Sequence, residues 1–594
     1  MHKLVLVTFL LAFSTSAGQL EDRWWPTQTL PDAVVRSATQ QEFPDLRVAH
    51  QMMVQSIAGL AAKAVNEGRG DELVWVTNGN TDLEDWYSRW AARHGNIKAS
   101  GSLNPWQLAD RFAQRGIIKG YILYRADTSR GELNSHRPGM DCSVNVATSL
   151  AGILDGVIVD ESLEKEAHAH GLKLLMDVRD KTQTWCFQTY GTQFNRRILC
   201  TQDPQKPHIR DLAIAQKAFA LFGDGEPIRS VMPWLEPLSP ILGWNGGDEF
   251  ATTDLSTRFG HIQTATDWCM NLPVLMAGSE KIGRIATNAF DPSSIDWKDQ
   301  RSAVTFVESD GDNVQWFQGN FFRGNPSYWS NADRGRLPFG WSCCFTHLAQ
   351  LCPSAIAYGM SSRTTNDSFI EWGGGYYYPD HFGQNRNDRW QLLARHARRT
   401  WEQMRKSNTR IIGFNVSQHD SADSRKAYEV IAAQTDGLLG ILVFQYYPYE
   451  GGAGRTFWVK DCNGAELPVI TARYSIWEHS NDRPRCGTPA KIAREIRQSV
   501  ENSSARERPR YDWVITHAWS YFRMKPGPDE NAENVPASGA GGENKLRGYA
   551  PALWCAERLP GDIRVVGPEE LIWRVRMRHD PEQTKRLITQ LPRL

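Results

Sequence analysis

Two stretches of this 594-residue chain carry residue types and spacings able to do chemistry. The first is Val304-Thr305-Phe306-Val307-Glu308-Ser309-Asp310-Gly311-Asp312-Asn313. A buried strand runs there into an acidic, glycine-containing loop, and the C-terminal end of a strand is where α/β barrels place their active sites. Asp310 and Asp312 are spaced to act as acid, base or nucleophile, and with Asn313 they could hold a divalent cation. Asp and Asn also start helices, but this loop exceeds what a cap needs. The second stretch is Glu371-Trp372-Gly373-Gly374-Gly375-Tyr376-Tyr377-Tyr378-Pro379-Asp380. Its glycines permit positive φ and its proline stops a ladder, so it reads as a tight loop where backbone comes close to something. Tyr376 and Tyr378 offer flat faces and hydroxyls suited to a ring-shaped polar ligand.

Further candidates end other predicted strands. His517, followed by Trp519, is suited to proton transfer or to orienting a hydroxyl. Glu450 sits among tyrosines and Glu371 precedes the glycines; a carboxyl in such surroundings has its pKa raised, as a general acid requires. Asp248 and Glu249, in the turn after Trp244, read as an exposed polar turn. His168 and His170, two apart on a helix, face different ways and read as a solvated surface. No Cys/His spacing matches a zinc site, and no cofactor is expected beyond a cation at Asp310 and Asp312.

The elements that must position these groups follow from the hydrophobic pattern. Strands are predicted over 73–77, 119–125, 156–159, 172–178 and 229–234, with helices over 52–66, 82–94, 145–154, 162–170 and 211–222. From residue 301 longer elements alternate, with strands over 303–308, 337–341, 409–415, 438–445 and 512–517 and helices over 345–351, 388–406, 421–435 and 489–500. Such alternation implies parallel pairing. The fold class expected is α/β: small N-terminal α/β units over 18–100, 101–182 and 183–298, then a (β/α)-barrel-like C-terminal domain over 299–594. The letters around Ser56 to Leu60 and Ser149 to Ile153 echo one another and point to a duplicated unit.

Composition bounds the rest. Lys plus Arg is 67 and Asp plus Glu is 67, a balance that excludes a dedicated nucleic-acid binder. Residues 4–13 form an apolar run with small residues after it, which reads as a leader over 1–17 and an exported protein, periplasmic or extracellular. No segment is long and apolar enough to span a bilayer. Ten cysteines permit disulfides whose connectivity is not readable.

The spelling Gly373-x-Gly375-Tyr376-x-Tyr378-Pro379 resembles the motif that names the GxGYxYP family of glycoside hydrolases. The resemblance extends through Ser309 to Asn313, Gly340-Trp341, Asn366-Asp367, Thr516 to Trp519 and Pro568 to Leu571, with Cys343-Cys344 as a departure. It implies a carbohydrate-related enzyme but hands over no established catalytic pair; the residues read above make Asp310, Asp312, Glu371, Glu450 and His517 the catalytic candidates of a glycoside hydrolase. Asn313, Trp341, Asp367, Gly373, Gly375, Tyr376, Tyr378, Asp380 and Trp519 are the candidate substrate contacts, and no protein partner is inferable. Two rivals remain open: a metal-dependent carbohydrate deacetylase-like enzyme, and a non-catalytic carbohydrate-binding protein on the same scaffold.

Overall fold

The computed structural model describes residues 27–590, apart from 98, 129–136, 138, 280–282, 284–289, 479–482, 525–532 and 536–544. The leader reading over 1–17 therefore lies outside the described residues. The architecture is mixed α/β, with small parallel sheets in the N-terminal half and one large curled sheet in the C-terminal half.

Three small sheets come first. Ala33–Ser37 lies between Glu72–Trp75 and Ala99–Leu103, and Gly120–Tyr124 lies between Gly156–Asp160 and Leu174–Asp177. Leu199–Thr201, Phe219–Leu221, Pro240–Gly243 and Ile262–Thr264 form the third. Helix Val48–Asn66 is buried continuously from Met52 to Val65, because it packs on strands of the first two sheets and on helix Arg210–Ala215 beside the third.

The echoed letters are explained by that packing. The Ser56 hydroxyl donates to Met53 O and accepts from Ile158 N at 3.1 Å. The Ser149 hydroxyl donates to Asn145 O and accepts from Ala220 N at 2.9 Å. Each serine thus satisfies an edge-strand amide that would otherwise be buried without a partner, a loss of roughly 1–3 kcal/mol. The glycine three residues on lets helix Arg210–Ala215 close in. A Cβ on Gly59 would lie 2.6 Å from Asp211 O, and one on Gly152 would lie 2.7 Å from Ile214 O.

In the large sheet we label the parallel strands β1 Ser302–Glu308, β2 Phe339–Cys343, β3 Asp367–Trp372, β4 Ile411–Val416, β5 Gly440–Gln445, β6 Glu466–Thr471, β7 Tyr474–Ile476 and β8 Tyr511–Thr516. Consecutive strands pair from β1 to β6, and β8 pairs with both β1 and β7. Only two residues separate β6 from β7. Ala472 N donates to Val443 O while Arg473 N donates to Trp513 O. One extended run therefore changes partner from β5 to β8, and the sheet curls round on itself. Inside it Val307, Ile370, Leu442, Ile470 and Trp513 pack with Leu571, Ile572 and Trp573 of helix Pro568–His579. Because the strands are parallel, their C-terminal ends share one rim.

Several sequence expectations need correcting. The predicted helix over 211–222 is helix Arg210–Ala215 followed by strand Phe219–Leu221. Its alanine-rich letters favour helix, but the apolar end is needed to pair with Leu199–Thr201. The predicted strand over 229–234 is helix Ile228–Trp234; so short an apolar run has no decisive period. Strands β3, β6 and β7 were not expected. Pro468 inside β6 argues against a strand in sequence, yet it sits where a neighbouring hairpin strand pairs antiparallel. No disulfide joins any of the ten cysteines. Among the described residues no helix is long and apolar enough to cross a membrane.

Gly59→Ala is expected to lower the melting temperature, because the new methyl has backbone on its far side and overpacking of this kind costs about 1–3 kcal/mol. Thermal unfolding of the variant checks this; an unchanged midpoint would refute the close approach.

Candidate functional site

The loop after β1 is built under strain. Asp310 has φ 65°, a left-handed conformation for a residue with a side chain, which costs on the order of 1–3 kcal/mol. Its surroundings hold it there. One carboxylate oxygen accepts from Trp519 Nε1 at 2.8 Å and the other accepts from the Ser309 hydroxyl. Ser309 Oγ in turn accepts from Ala518 N at 3.1 Å, so the ends of β1 and β8 are tied together. Gly311 passes so close to β2 that a Cβ would lie 2.5 Å from the Ser342 carbonyl carbon. Asn313 caps helix Val314–Gly319 by accepting from Trp316 N. Asp312, 9% exposed, lies between these. Burial, then the neighbouring Asp310 and Glu249, push its carboxyl well above the usual carboxylate range.

The glycine–tyrosine loop after β3 is held from both sides. Gly373, Gly374 and Gly375 have φ of 69°, 75° and 123°. A Cβ on Gly374 would meet Thr400 Oγ1 at 2.5 Å, and one on Gly375 would meet Ile262 Cγ2 and His347 Cε1 at 2.4 Å. Glu371 accepts from Gly374 N at 3.0 Å and from Thr346 N at 3.1 Å. Tyr376 then pairs with Gln263 of the third small sheet, amide to carbonyl in both directions at 3.1 and 3.0 Å. Its ring stacks on Trp244 at 5.9 Å and 18°. Its hydroxyl donates to Glu249 and lies 3.3 Å from that of Tyr378. Glu249 is exposed, yet desolvation by the protein around it, with Asp310 and Asp248 nearby, pushes its carboxyl up against the pull of the Tyr376 hydroxyl.

The two loops face one cavity of about 370 Å³ at the C-terminal rim. Trp372, Phe444 and Tyr449 line its apolar part, and Asn415 and His517 add polar groups. The N-terminal half contributes Trp244, Glu249, Ala265, Asp267 and Trp268. The His517 ring stacks on Trp477 at 5.2 Å, and its Nδ1 lies 2.9 Å from the Ser520 hydroxyl.

Of the residues singled out in sequence, Asp310, Asp312, Asn313, Tyr376, His517 and Trp519 line this cavity together. Glu371, Gly373, Gly375 and Tyr378 lie in the wall behind Tyr376 and do not line it. Glu450 is 2% exposed with Arg483 at 3.5 Å, outside the lining. Asp380 accepts from Ser417 N and Gln418 N. Trp341 donates to Asp367, which is paired with Arg334 at the N-terminal end of β3, away from the cavity. Glu249 was visible as an acid on a turn, but only the fold brings it here. Asp267, Trp268 and Asn415 carried no local signal. Among the described residues no group of three or more His, Cys, Asp or Glu side chains is arranged to hold a metal ion.

Burial pushes the Glu371 pKa up from 4.5 to about 8, against the opposing pull of its amide donors. The folded chain then binds a proton that the unfolded chain releases. The stability this group contributes is full below about pH 4.5 and is lost as pH rises towards about 8. Glu371→Gln removes the titration, so between about pH 5 and 8 its melting temperature should fall less steeply than that of the parent, by a stability slope of up to about 1.4 kcal/mol per pH unit. Parallel curves would refute a raised Glu371.

Comparison with known proteins bears on these features. Residues 300–523 match the model described as the GxGYxYP putative glycoside hydrolase C-terminal domain. Residues 118–194 match the GxGYxYP_N second domain, and residues 195–277 the GxGYxYP third domain. No curated protein matches the sequence. The crystal structure of a putative hydrolase from Bacteroides thetaiotaomicron VPI-5482 superposes with a TM-score of 0.72 at 22% identity, over 92% of this chain and 95% of that one. At that identity the likeness shows the shared fold. The family motifs span both loops of the cavity and the N-terminal region that walls it, and the chain belongs to the GxGYxYP family.

Proposed function

We propose that this chain hydrolyses a glycosidic bond in the cavity above the curled sheet, with Asp312 as proton donor and Asp310 as base or nucleophile. The observation that carries the reading is the contrast between two carboxyl groups one glycine apart in an aromatic-walled cavity. Asp310 accepts hydrogen bonds from Trp519 and Ser309, which fix the direction of its oxygens. Asp312 is buried and crowded by two other acids, which favours its protonated form. Glycoside hydrolysis needs a carboxyl that holds a proton beside a second carboxyl, and the raised Asp312 suits the first role. Glu249 supports it by adding negative charge beside Asp312. Glu371 and Glu450, both candidates for the acid in sequence, lie outside the cavity lining, so the donor role passes to Asp312. Trp244 and Tyr376 offer faces for a sugar ring, and His517 and Asn415 offer hydrogen bonds to its hydroxyls.

Asp312→Asn keeps size and shape but removes the proton. Hydrolysis of an unactivated glycan should fall by about 10²–10⁴-fold. A glycosyl fluoride, whose leaving group needs little protonation, should be cleaved with a much smaller loss, whereas Asp310→Asn should lose both activities. Reaction rates on the two substrate types, with unfolding curves as a folding control, check this. An Asp312→Asn enzyme as active as the parent on the glycan would refute the assignment, and glycan binding with no product would favour a binding protein.

We also infer export, from the apolar run over 4–13 and the small residues after it. Protein from the native host is expected to begin near Gly18 on N-terminal sequencing; an intact Met1 in the cytosol would refute it.

A further inference from the structure

Most large aromatic side chains of this molecule are buried, but Trp268 is 48% exposed while it also lines the cavity. An exposed indole forgoes burial worth roughly 1.5–3 kcal/mol. Mobility does not account for it, because Trp268 is held on several sides. Its amide donates to Gln315 Oε1 at 2.7 Å, and Gln315 N donates to Ala265 O at 3.1 Å. Gln315 is on the helix that Asn313 caps, so the segment is fixed to the Asp312 loop. The indole lies over the Lys206 ammonium at 4.2 Å and beside the His208 ring at 5.0 Å. Lys206 is itself buried and paired with Asp267, each side chain 2% exposed. A rigid aromatic face next to the reacting carboxyls is the surface on which the C–H-rich face of a sugar stacks.

Charge narrows what that sugar is. Of the four acids lining the cavity, Asp267 is paired with Lys206 and Asp312 holds its proton, which leaves Asp310 and Glu249 to face a ligand, and among the described residues no Lys or Arg is in the lining. Lys206 lies behind Trp268 and is neutralised by Asp267. A carboxylated or sulfated sugar would face Asp310 and Glu249 and meet no cation among the described lining residues.

We propose that Trp268 is the stacking platform for a second sugar unit, and that the glycan taken by this cavity is uncharged and at least two units long. The proposal rests on the preceding reading only in taking the ligand to be a glycan. It is tested with the full chain and its Trp268→Ala and Trp268→Phe variants on an array of immobilised neutral oligosaccharides (glucan, xylan, mannan, arabinan and galactan) beside oligogalacturonides and heparin fragments. The parent should bind a neutral member. Trp268→Ala should weaken that binding at least about tenfold, and Trp268→Phe, which keeps a ring, by no more than about threefold. Competition by the matching free monosaccharide should be unchanged in all three. Preference for the anionic glycans, equal affinity in Trp268→Ala, or binding to none of the array would overturn the proposal. Cleavage of a neutral glycan with unchanged Trp268→Ala affinity defeats the platform alone. Trp268-dependent binding with no cleavage defeats the hydrolase reading alone.

Discussion

The architecture depends on a close approach that only glycine permits. Between Trp372 and Tyr376 the chain must pass Thr400, His347 and Ile262 with no room for a Cβ at Gly374 or Gly375. It does so with three consecutive positive φ values. His396 Nε2 lies 2.9 Å from Gly373 O, and Glu371 takes up the Gly374 amide, so the turn is pinned from within the C-terminal half. Its far end is pinned to Gln263 in the N-terminal half. A side chain at Gly374 would displace Thr400, and one at Gly375 would press on Ile262 and push the two halves apart. It would also withdraw Tyr376 from Trp244 and Glu249.

The second cost is electrostatic. Glu249, Asp310 and Asp312 share one cavity, and burial raises both Asp312 and Glu249. Grouping acids in apolar surroundings is unfavourable unless some of them keep their protons. The backbone adds to this through the left-handed Asp310. Strain and like charge gathered in one loop are a pattern of functional sites. Here the loop is sustained by neighbours: Trp519 and Ser309 hold Asp310, and Gly311 lets the turn lie flat on β2.

The N-terminal half is part of the site. Its helices Val48–Asn66 and Ser143–Leu154 bind the small sheets into one support, each through a serine hydroxyl that caps an edge amide and a glycine that admits helix Arg210–Ala215. That support delivers Trp244, Glu249, Asp267 and Trp268 to the rim of the large sheet that follows it in the chain. The C-terminal half supplies the paired aspartates. The surfaces that would select a ligand come from both halves.

What the sequence determined by itself was local. Alternating apolar runs from residue 301 identified the parallel α/β class, since period and strand length are properties of a short window. The glycine–tyrosine spelling and the Asp-Gly-Asp-Asn loop were legible because positive φ and strand-end acids leave compositional marks. Tertiary structure decided which marks met. Glu371 and Glu450 read like Asp312 in sequence, yet backbone amides hold the first and Arg483 lies beside the second. Tyr378 differs from Tyr376 only in which side of the loop it occupies. The continuous run through β6 and β7 was hidden because its halves serve different partners, one of them through a proline. Glu249 looked like a solvated turn and Trp268 like any tryptophan. Their places in the cavity arise from long-range packing, where Gln263 meets Tyr376 and Gln315 meets Trp268, and no local pattern encodes such meetings.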